Sequence, residues 1–305
     1  IVPVEPIAAE LATGEPVRFR AQGDRKGRRN GWAQLHLDGI PAGVFRHYRL
    51  GIRETWCASR PDRELSFAER RQIRANIRAM EERRKRETEA KQAAAADTAA
   101  ALWDDAGQAE RTHPYLVSKG LEPFGIRQHG TELLVPMLDR DFRLWNVQRI
   151  RPDGFKMFLK NARTAGLFWP HGLVTVDGQP SAGPLVIAEG YANAAAVWQR
   201  GPECAVVAAM SARNLRAVAL IMRSLFPDRE LIVAADDDCH LAENIGLEAA
   251  VGAAEAVGAL VATPNPLCAE RRSPADFAEL PAEQVRERIA HSAHIARVRE
   301  GGAHG

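Results

Sequence analysis

Residues 185–191 read LVIAEGY, a run of four aliphatic residues that ends in a glutamate and a glycine. Residues 231–238 read LIVAADDD, a similar run that ends in three aspartates. Short continuous apolar runs are typical of buried strands, and a carboxylate at the end of such a strand is costly to desolvate. From Leu185 onward, strand-like and helical segments alternate, and this pattern predicts an α/β fold with a mostly parallel sheet flanked by helices.

The carboxylates at these two strand ends form a candidate metal site. Gly190 allows the chain to turn sharply after Glu189, and Asp236 and Asp238 project to the same side if the strand stays extended, with Asp237 pointing away. Ligands of such sheets bind at the carboxyl ends of the strands. Oxygen donors without His or Cys favour Mg²⁺ or Mn²⁺ over zinc. The alternative is structural, because Asp237 or Asp238 can instead be the N-cap of a helix.

The chain before this sheet divides by composition into three segments. Residues 1–62 alternate apolar and polar residues between glycines, which predicts a small β-rich N-terminal module. Residues 63–108 are mostly charged or Ala, with almost no Gly or Pro, and predict a long linker helix. Residues 109–182 predict a mixed α+β subdomain with a basic character. We expect the catalytic sheet to occupy residues 183–282 and a C-terminal helix and tail to occupy residues 283–305.

Basic residues in three places are candidates for contacts with nucleotides or DNA. A run of basic residues in the N-terminal module lies beside Trp32. Either these residues bind phosphates while a base stacks on Trp32, or they form an ordinary solvated turn. A second group precedes the sheet, and Arg213 and Asn214 open a helix that follows another strand. The nucleotide- or DNA-binding candidates are Arg149, Lys156, Lys160, Arg163, Arg213 and Asn214.

Composition restricts the remaining classes of protein. The 305 residues contain 41 Lys and Arg against 39 Asp and Glu, so any nucleic-acid signal must be local. The four cysteines lie far apart with no C-x-x-C pair, which predicts no zinc ribbon and a reducing, cytoplasmic location. No apolar run reaches the length of a membrane span, so we expect no membrane association. Because the sequence begins at Ile1, we expect it to be part of a longer protein.

The E-G after the first of these strands and the D-x-D after the later one resemble the topoisomerase–primase (Toprim) domain, from about Pro184 to Leu280. Segments such as THPYLVSKGLE, LWNVQRIRPDGFKMFLKNARTAGLFW and SPADFAEL resemble primases of conjugative plasmids, phages and integrating mobile elements, from His113 onward. This sequence does not contain the N-terminal zinc ribbon of the replicative bacterial primases, so we expect other surfaces, or parts of the protein outside this sequence, to recognise the template.

This resemblance implies a DNA primase, a DNA-directed RNA polymerase that makes short RNA primers on single-stranded DNA from nucleoside triphosphates. It implies that Glu189, Asp236 and Asp238 are catalytic and hold the metal, with Asp276 as a further metal ligand. Two Mg²⁺ or Mn²⁺ ions and no zinc are expected as cofactors. A replicative helicase or another replication protein is a further expected partner in replication of a plasmid or mobile element.

Two other functions remain open from the sequence. The same acidic site is compatible with a metal-dependent Toprim nuclease, whereas a topoisomerase also needs a tyrosine on a separate movable element. A non-catalytic single-stranded-DNA-binding module is the second alternative. Its weakness is that carboxylates kept together without a role lower stability.

Overall fold

The structure is a computed structural model that describes residues 2–37, 41–57, 67–174, 178, 181–238, 244–265 and 276–292. It divides into a first unit, Ile1–Met80, and a second unit, Glu81–Gly305. The candidate acids all lie in the second unit. No helix within the described ranges has both the length and the apolar character needed to cross a membrane.

The first unit contains the β-rich module expected near the N-terminus. A short helix α1 (Ala8–Leu11) precedes an antiparallel sheet in the order β1-β2-β3-β4. Phe19 and Ala33 are buried in its core, against Ile7 and Leu11. The strands are β1 (Val17–Phe19), β2 (Gly31–His36), β3 (Ala42–His47) and β4 (Ile52–Cys57).

The long helix α2 (Phe67–Asp105) confirms the helix expected in the charge-rich segment. Its middle is exposed and carries i,i+4 ion pairs, such as Arg83 with Glu87 at 3.7 Å. Its last turns differ from a solvated linker, because Ala99 is fully buried in a small core with residues of the sheet that follows. The run of alanines in this part of the helix permits that close approach.

The second unit first forms an antiparallel sheet in the order β5-β6-β7-β8-β9. The last three strands lie in the segment for which the sequence predicts a mixed α+β subdomain, whereas β5 and β6 are too short to show a pattern. Helix α3 (Pro114–Lys119) lies between β5 and β6 in the chain. The strands are β5 (Gly107–Gln108), β6 (Arg127–His129), β7 (Glu132–Leu138), β8 (Leu144–Ile150) and β9 (Lys156–Phe158).

The parallel sheet confirms the predicted α/β fold. Its strand order is β10-β12-β11-β13-β14, and all neighbours are parallel except the edge strand β10. The sequence does not predict β10, whose central Pro170 is tolerated because the strand lies at an edge. The strands are β10 (Trp169–His171), β11 (Leu185–Ala188), β12 (Ala205–Ala208), β13 (Leu231–Ala234) and β14 (Leu260–Ala262).

Helices cover both faces of the parallel sheet. One face packs against α5 and α6, and the other against α4, α7 and a 3₁₀ helix at Phe277–Glu279. The chain passes from β11 to β12 on one side and then to β13 on the other side of β11. Crevices for ligands form at such a reversal, beyond the carboxyl ends of the two strands. The helices are α4 (Tyr191–Arg200), α5 (Ala212–Leu225), α6 (Ile245–Val257) and α7 (Ala282–Ala290).

Arg200, at the end of α4, holds together the segments that border this crevice. Its Nη1 donates to the carbonyl oxygens of Ala278 and Leu280, both at 3.0 Å. Its Nη2 donates to those of Lys119, at 2.6 Å, and Gly120, at 2.9 Å. One guanidinium group therefore connects the end of α3 with the 3₁₀ helix.

We predict that Arg200→Lys lowers the free energy of unfolding by about 2 kcal/mol, because an ammonium group cannot reach four carbonyl oxygens in two directions. Urea denaturation measures the change. Arg216→Lys, at an exposed position of α5, is the matched control and should change stability by less than about 0.5 kcal/mol. Equal stabilities of the two variants would contradict the connecting role of Arg200.

Candidate active site

Glu189 and Asp236 come together because they follow adjacent parallel strands. Ala188 of β11 is paired with Ala234 of β13, so both strands end at the same edge of the sheet. Both side chains line one cleft of about 520 Å³. The structure therefore brings together two of the three predicted catalytic acids at the crevice.

The acids at this edge influence one another strongly. Burial, followed by the charges of Glu189, Asp276 and Asp238, raises the pKa of Asp236 to about 8, although a hydrogen bond from Asn193 opposes the shift. Burial also raises the pKa of Glu189, and the charge of Asp238 adds to this effect. The four acids expected to hold metal thus form one electrostatic cluster.

Asn193 fixes the position of the Asp236 carboxylate. This residue is buried in the first turn of α4, and its Nδ2 donates to Asp236 Oδ1 at 2.6 Å. Its Oδ1 accepts from the backbone N–H of Ala278 at 3.1 Å. The sequence analysis missed Asn193, although a single polar residue within the apolar helix YANAAAV was a usable signal.

Asp237 and Asp238 hold the turn that leads into α6. Asp237 is buried and accepts from the side-chain amides of Asn244, at 2.6 Å, and Asn265, at 2.7 Å. Asp238 Oδ2 accepts from the backbone N–H of Gly246 at 3.2 Å, in the first turn of α6. Asn244 is the N-cap of this helix. Asp238 therefore takes part in the start of the helix while its charge acts on Asp236, and it does not line the cleft.

Asp276 approaches the same cleft from the segment before the 3₁₀ helix. Its Oδ2 is 3.6 Å from the Nζ of Lys119, which is also 3.5 Å from Glu279 Oε1. Its Oδ1 is buried and has no hydrogen-bond partner within the described residues. Lys119 is a further residue that the sequence analysis missed. It reaches the acids from α3, and no spacing in the sequence relates α3 to the acids.

Lys156 lines the same cleft as the acids. Its positive charge lowers the pKa of Glu189 against the larger effect of burial. Its Nζ is 5.6 Å from the centre of the Tyr115 ring, which also borders the cleft. The structure thus places a cation, from the start of β9, within reach of anything bound at the acids.

The other basic candidates before the sheet lie outside the cleft lining. Arg149 forms an ion pair with Glu132, with its Nη2 2.6 Å from Oε2. Arg163 donates to the carbonyl oxygen of Ala165 and lies over the Trp145 ring at 5.4 Å. Lys160 is exposed.

Arg213 and Asn214 have different environments at the start of α5. Arg213 is exposed to solvent. Asn214 is buried, and its Nδ2 donates to the carbonyl oxygens of Leu167 and Ala209 at 2.8 and 2.7 Å. Its Oδ1 accepts from the backbone N–H of Gly166 at 2.8 Å. The Asn214 side chain thus connects α5 with the segment before β10.

The acidic cluster has the donor chemistry that hard divalent cations prefer. A cation would relieve the repulsion that raises the pKa of Asp236, and it would give the buried Asp276 Oδ1 a partner. Among the described residues, no group of three or more Asp, Glu, His or Cys side chains is placed to hold a metal ion by itself. This arrangement is compatible with Mg²⁺, which is usually held by one or two carboxylates together with water and substrate phosphates.

Comparison with known proteins gives one matching family and two similar proteins of named function. Residues 184–286 match the Toprim domain family. Two proteins named DNA primase TraC, both from Escherichia coli, are each 32% identical to this chain over 293 residues, or 94% of it. This chain spans 27% and 20% of the lengths of those curated relatives.

Among solved structures, the RNA polymerase domain of the Mycobacterium tuberculosis primase DnaG has a TM-score of 0.37 with this chain. The identity is 18%, and the match covers 55% of this chain and 58% of that one.

The raised pKa of Asp236 predicts how stability depends on pH without divalent cations. The folded state holds the proton more tightly than the unfolded state, so stability falls as the pH rises from about 4 towards 8. Asp236→Asn removes this effect. The free energy of unfolding of the variant, relative to that of the unmodified protein, should therefore increase by on the order of 3 kcal/mol from pH 5 to pH 8.

Urea denaturation in a chelator at both pH values measures this difference. Adding Mn²⁺ at pH 8 should stabilise the unmodified protein and leave Asp236→Asn nearly unchanged. Parallel pH profiles of the two proteins in chelator would show that Asp236 is not buried among like charges.

Proposed function

The chain belongs to the Toprim-domain proteins through residues 184–286, and on that premise we propose that it is a DNA primase. Proteins of this family generally use divalent metal ions. The observation that carries the proposal is the meeting of Glu189 and Asp236 with Lys156 in one cleft. A polymerase of this kind needs bound cations for the phosphates and a basic group beside them. The similarity to the two TraC primases supports the same function.

We assign the metal to the acidic cluster formed by Glu189, Asp236, Asp238 and Asp276. Bound there, two Mg²⁺ or Mn²⁺ ions supply positive charge that stabilises the triphosphate and acidifies the attacking 3′-hydroxyl of the primer. The chain itself sets the geometry, because Asn193 fixes the Asp236 carboxylate.

Two side chains of the cleft act on the substrate directly in this proposal. Lys156 pairs with the phosphates of the incoming nucleoside triphosphate. Glu189 either holds one of these ions or accepts the proton of the 3′-hydroxyl. Single-stranded DNA is the template, and a replicative helicase is the further partner that we propose.

We predict that Glu189→Gln and Asp236→Asn each lower primer synthesis by at least about 10³-fold, because each removes a charged oxygen ligand while keeping the shape of the side chain. Extension products from labelled nucleotides on single-stranded DNA, with Mg²⁺ or Mn²⁺, give the rate. Glu230→Gln, at an exposed position just before β13, is the matched control and should retain full synthesis.

The same assay separates a primase from a nuclease. Labelled template that is shortened without nucleotides, and never copied when they are present, would replace this proposal with the nuclease function. Full synthesis by Asp236→Asn would reject the assigned site even if the chain is a primase.

Lys156→Gln should raise the KM for the nucleoside triphosphate about 10-fold or more, since a charged hydrogen bond to the phosphates is lost. Lys160→Gln is the matched control, because Lys160 is close in the chain and exposed but does not line the cleft. Steady-state kinetics at several nucleotide concentrations give both values. A larger effect from Lys160 than from Lys156 would contradict the placement of the phosphates.

A further inference from the structure

The β1–β4 sheet of the first unit has two chemically different faces. One face is covered, because Phe19 and Ala33 pack against α1. The strand pairing puts a row of four residues on the other face, one from each strand. We call this the arginine face, and its row consists of Arg18, Trp32, Arg46 and Arg53.

Aromatic rings on the arginine face lie against guanidinium groups. The Cζ of Arg46 is 5.7 Å from the centre of the Trp32 ring. The Cζ of Arg18 is 4.8 Å from the centre of the Tyr48 ring, and Tyr48 is 51% exposed. These contacts place a guanidinium group over each aromatic ring at an accessible surface.

The positive charge of this face is not neutralised by the protein. Arg18, Arg46 and Arg53 form no ion pair with any carboxylate in the part of the chain that the structure describes. Arg18 and Arg53 are exposed, and the described strand positions on this face include no Asp or Glu. Glu54 falls on the opposite face because side chains alternate along β4.

We propose that the arginine face binds single-stranded nucleic acid. The arginines pair with phosphates, and bases stack on the Trp32 and Tyr48 rings and on the guanidinium planes beside them. The row crosses three strand spacings, or about 14 Å, so it contacts several nucleotides. A single strand is the occupant because its base faces are free to stack, whereas those of a duplex are covered by neighbouring pairs.

This site shares no residue with the catalytic cleft and concerns binding alone. Binding is therefore measured on the full chain in a chelator, without nucleoside triphosphates, by fluorescence anisotropy of a labelled oligothymidylate at several salt concentrations. A failure of the proposed primer synthesis leaves this measurement unaffected, and a failure of binding leaves the catalytic assignment to be judged by synthesis.

The first variant combines Arg18→Gln, Arg46→Gln and Arg53→Gln. We expect at least about a 10-fold loss of affinity and a salt slope smaller by about 2, as for three lost phosphate contacts on a single strand. The control combines Arg83→Gln, Lys85→Gln and Arg86→Gln on the exposed part of α2 and removes the same charge. Equal losses in the two triple variants would overturn the site, because the effect would then be one of net charge.

The second pair of variants tests stacking. Trp32→Leu and Tyr48→Leu should each weaken binding to oligothymidylate by about 5- to 150-fold, the range typical of a base-stacking ring. Binding of a DNA duplex should change less than binding of the single strand. Unchanged single-strand affinity in the exposed Tyr48→Leu variant, or an equal loss on duplex, would reject stacking on this face.

Discussion

The arrangement of the second unit depends on the crowding of carboxylates at the ends of β11 and β13. Glu189 and Asp236 follow two strands that are fully buried, and both are only half-buried themselves, so water screens their charges in part. Repulsion between such groups is strong in a medium of low dielectric constant. The protein tolerates the repulsion in part by keeping a proton on Asp236, as its pKa of about 8 indicates.

The surrounding contacts keep these acids from moving apart. Asn193 ties Asp236 to the backbone of Ala278, and Asp237 is held by two asparagine amides. Arg200 connects Lys119, at the end of α3, with Ala278, two residues after Asp276, and both Lys119 and Asp276 line the cleft. A site held in this way changes little when a ligand arrives, and preorganised charge of this kind is effective in stabilising a transition state.

The sequence predicted the parallel sheet well because continuous apolar strands alternate there with amphipathic helices. It also predicted the meeting of Glu189 with Asp236, since both follow parallel strands. It missed Asn193, Lys119 and β10, which depend on packing between segments that are distant in the chain. The sequence alone does not distinguish three consecutive aspartates. In the structure, Asp236 lines the cleft, Asp237 is buried and bound by asparagine amides, and Asp238 contacts the start of α6. Their different environments come from the position of each residue after β13 and from contacts with residues that lie further along the chain.

The proton on Asp236 has a consequence for binding of a cation. Metal ligands must be deprotonated, so a carboxyl group with a pKa of about 8 releases its proton when a divalent cation binds near pH 7. Affinity for the cation therefore rises with pH up to about 8. A triphosphate that arrives with its own Mg²⁺ would bring negative charge as well, and Lys156, which lines the same cleft, would compensate that charge. In the proposed function, the cleft therefore supplies both carboxylates for a cation and a lysine for the phosphates.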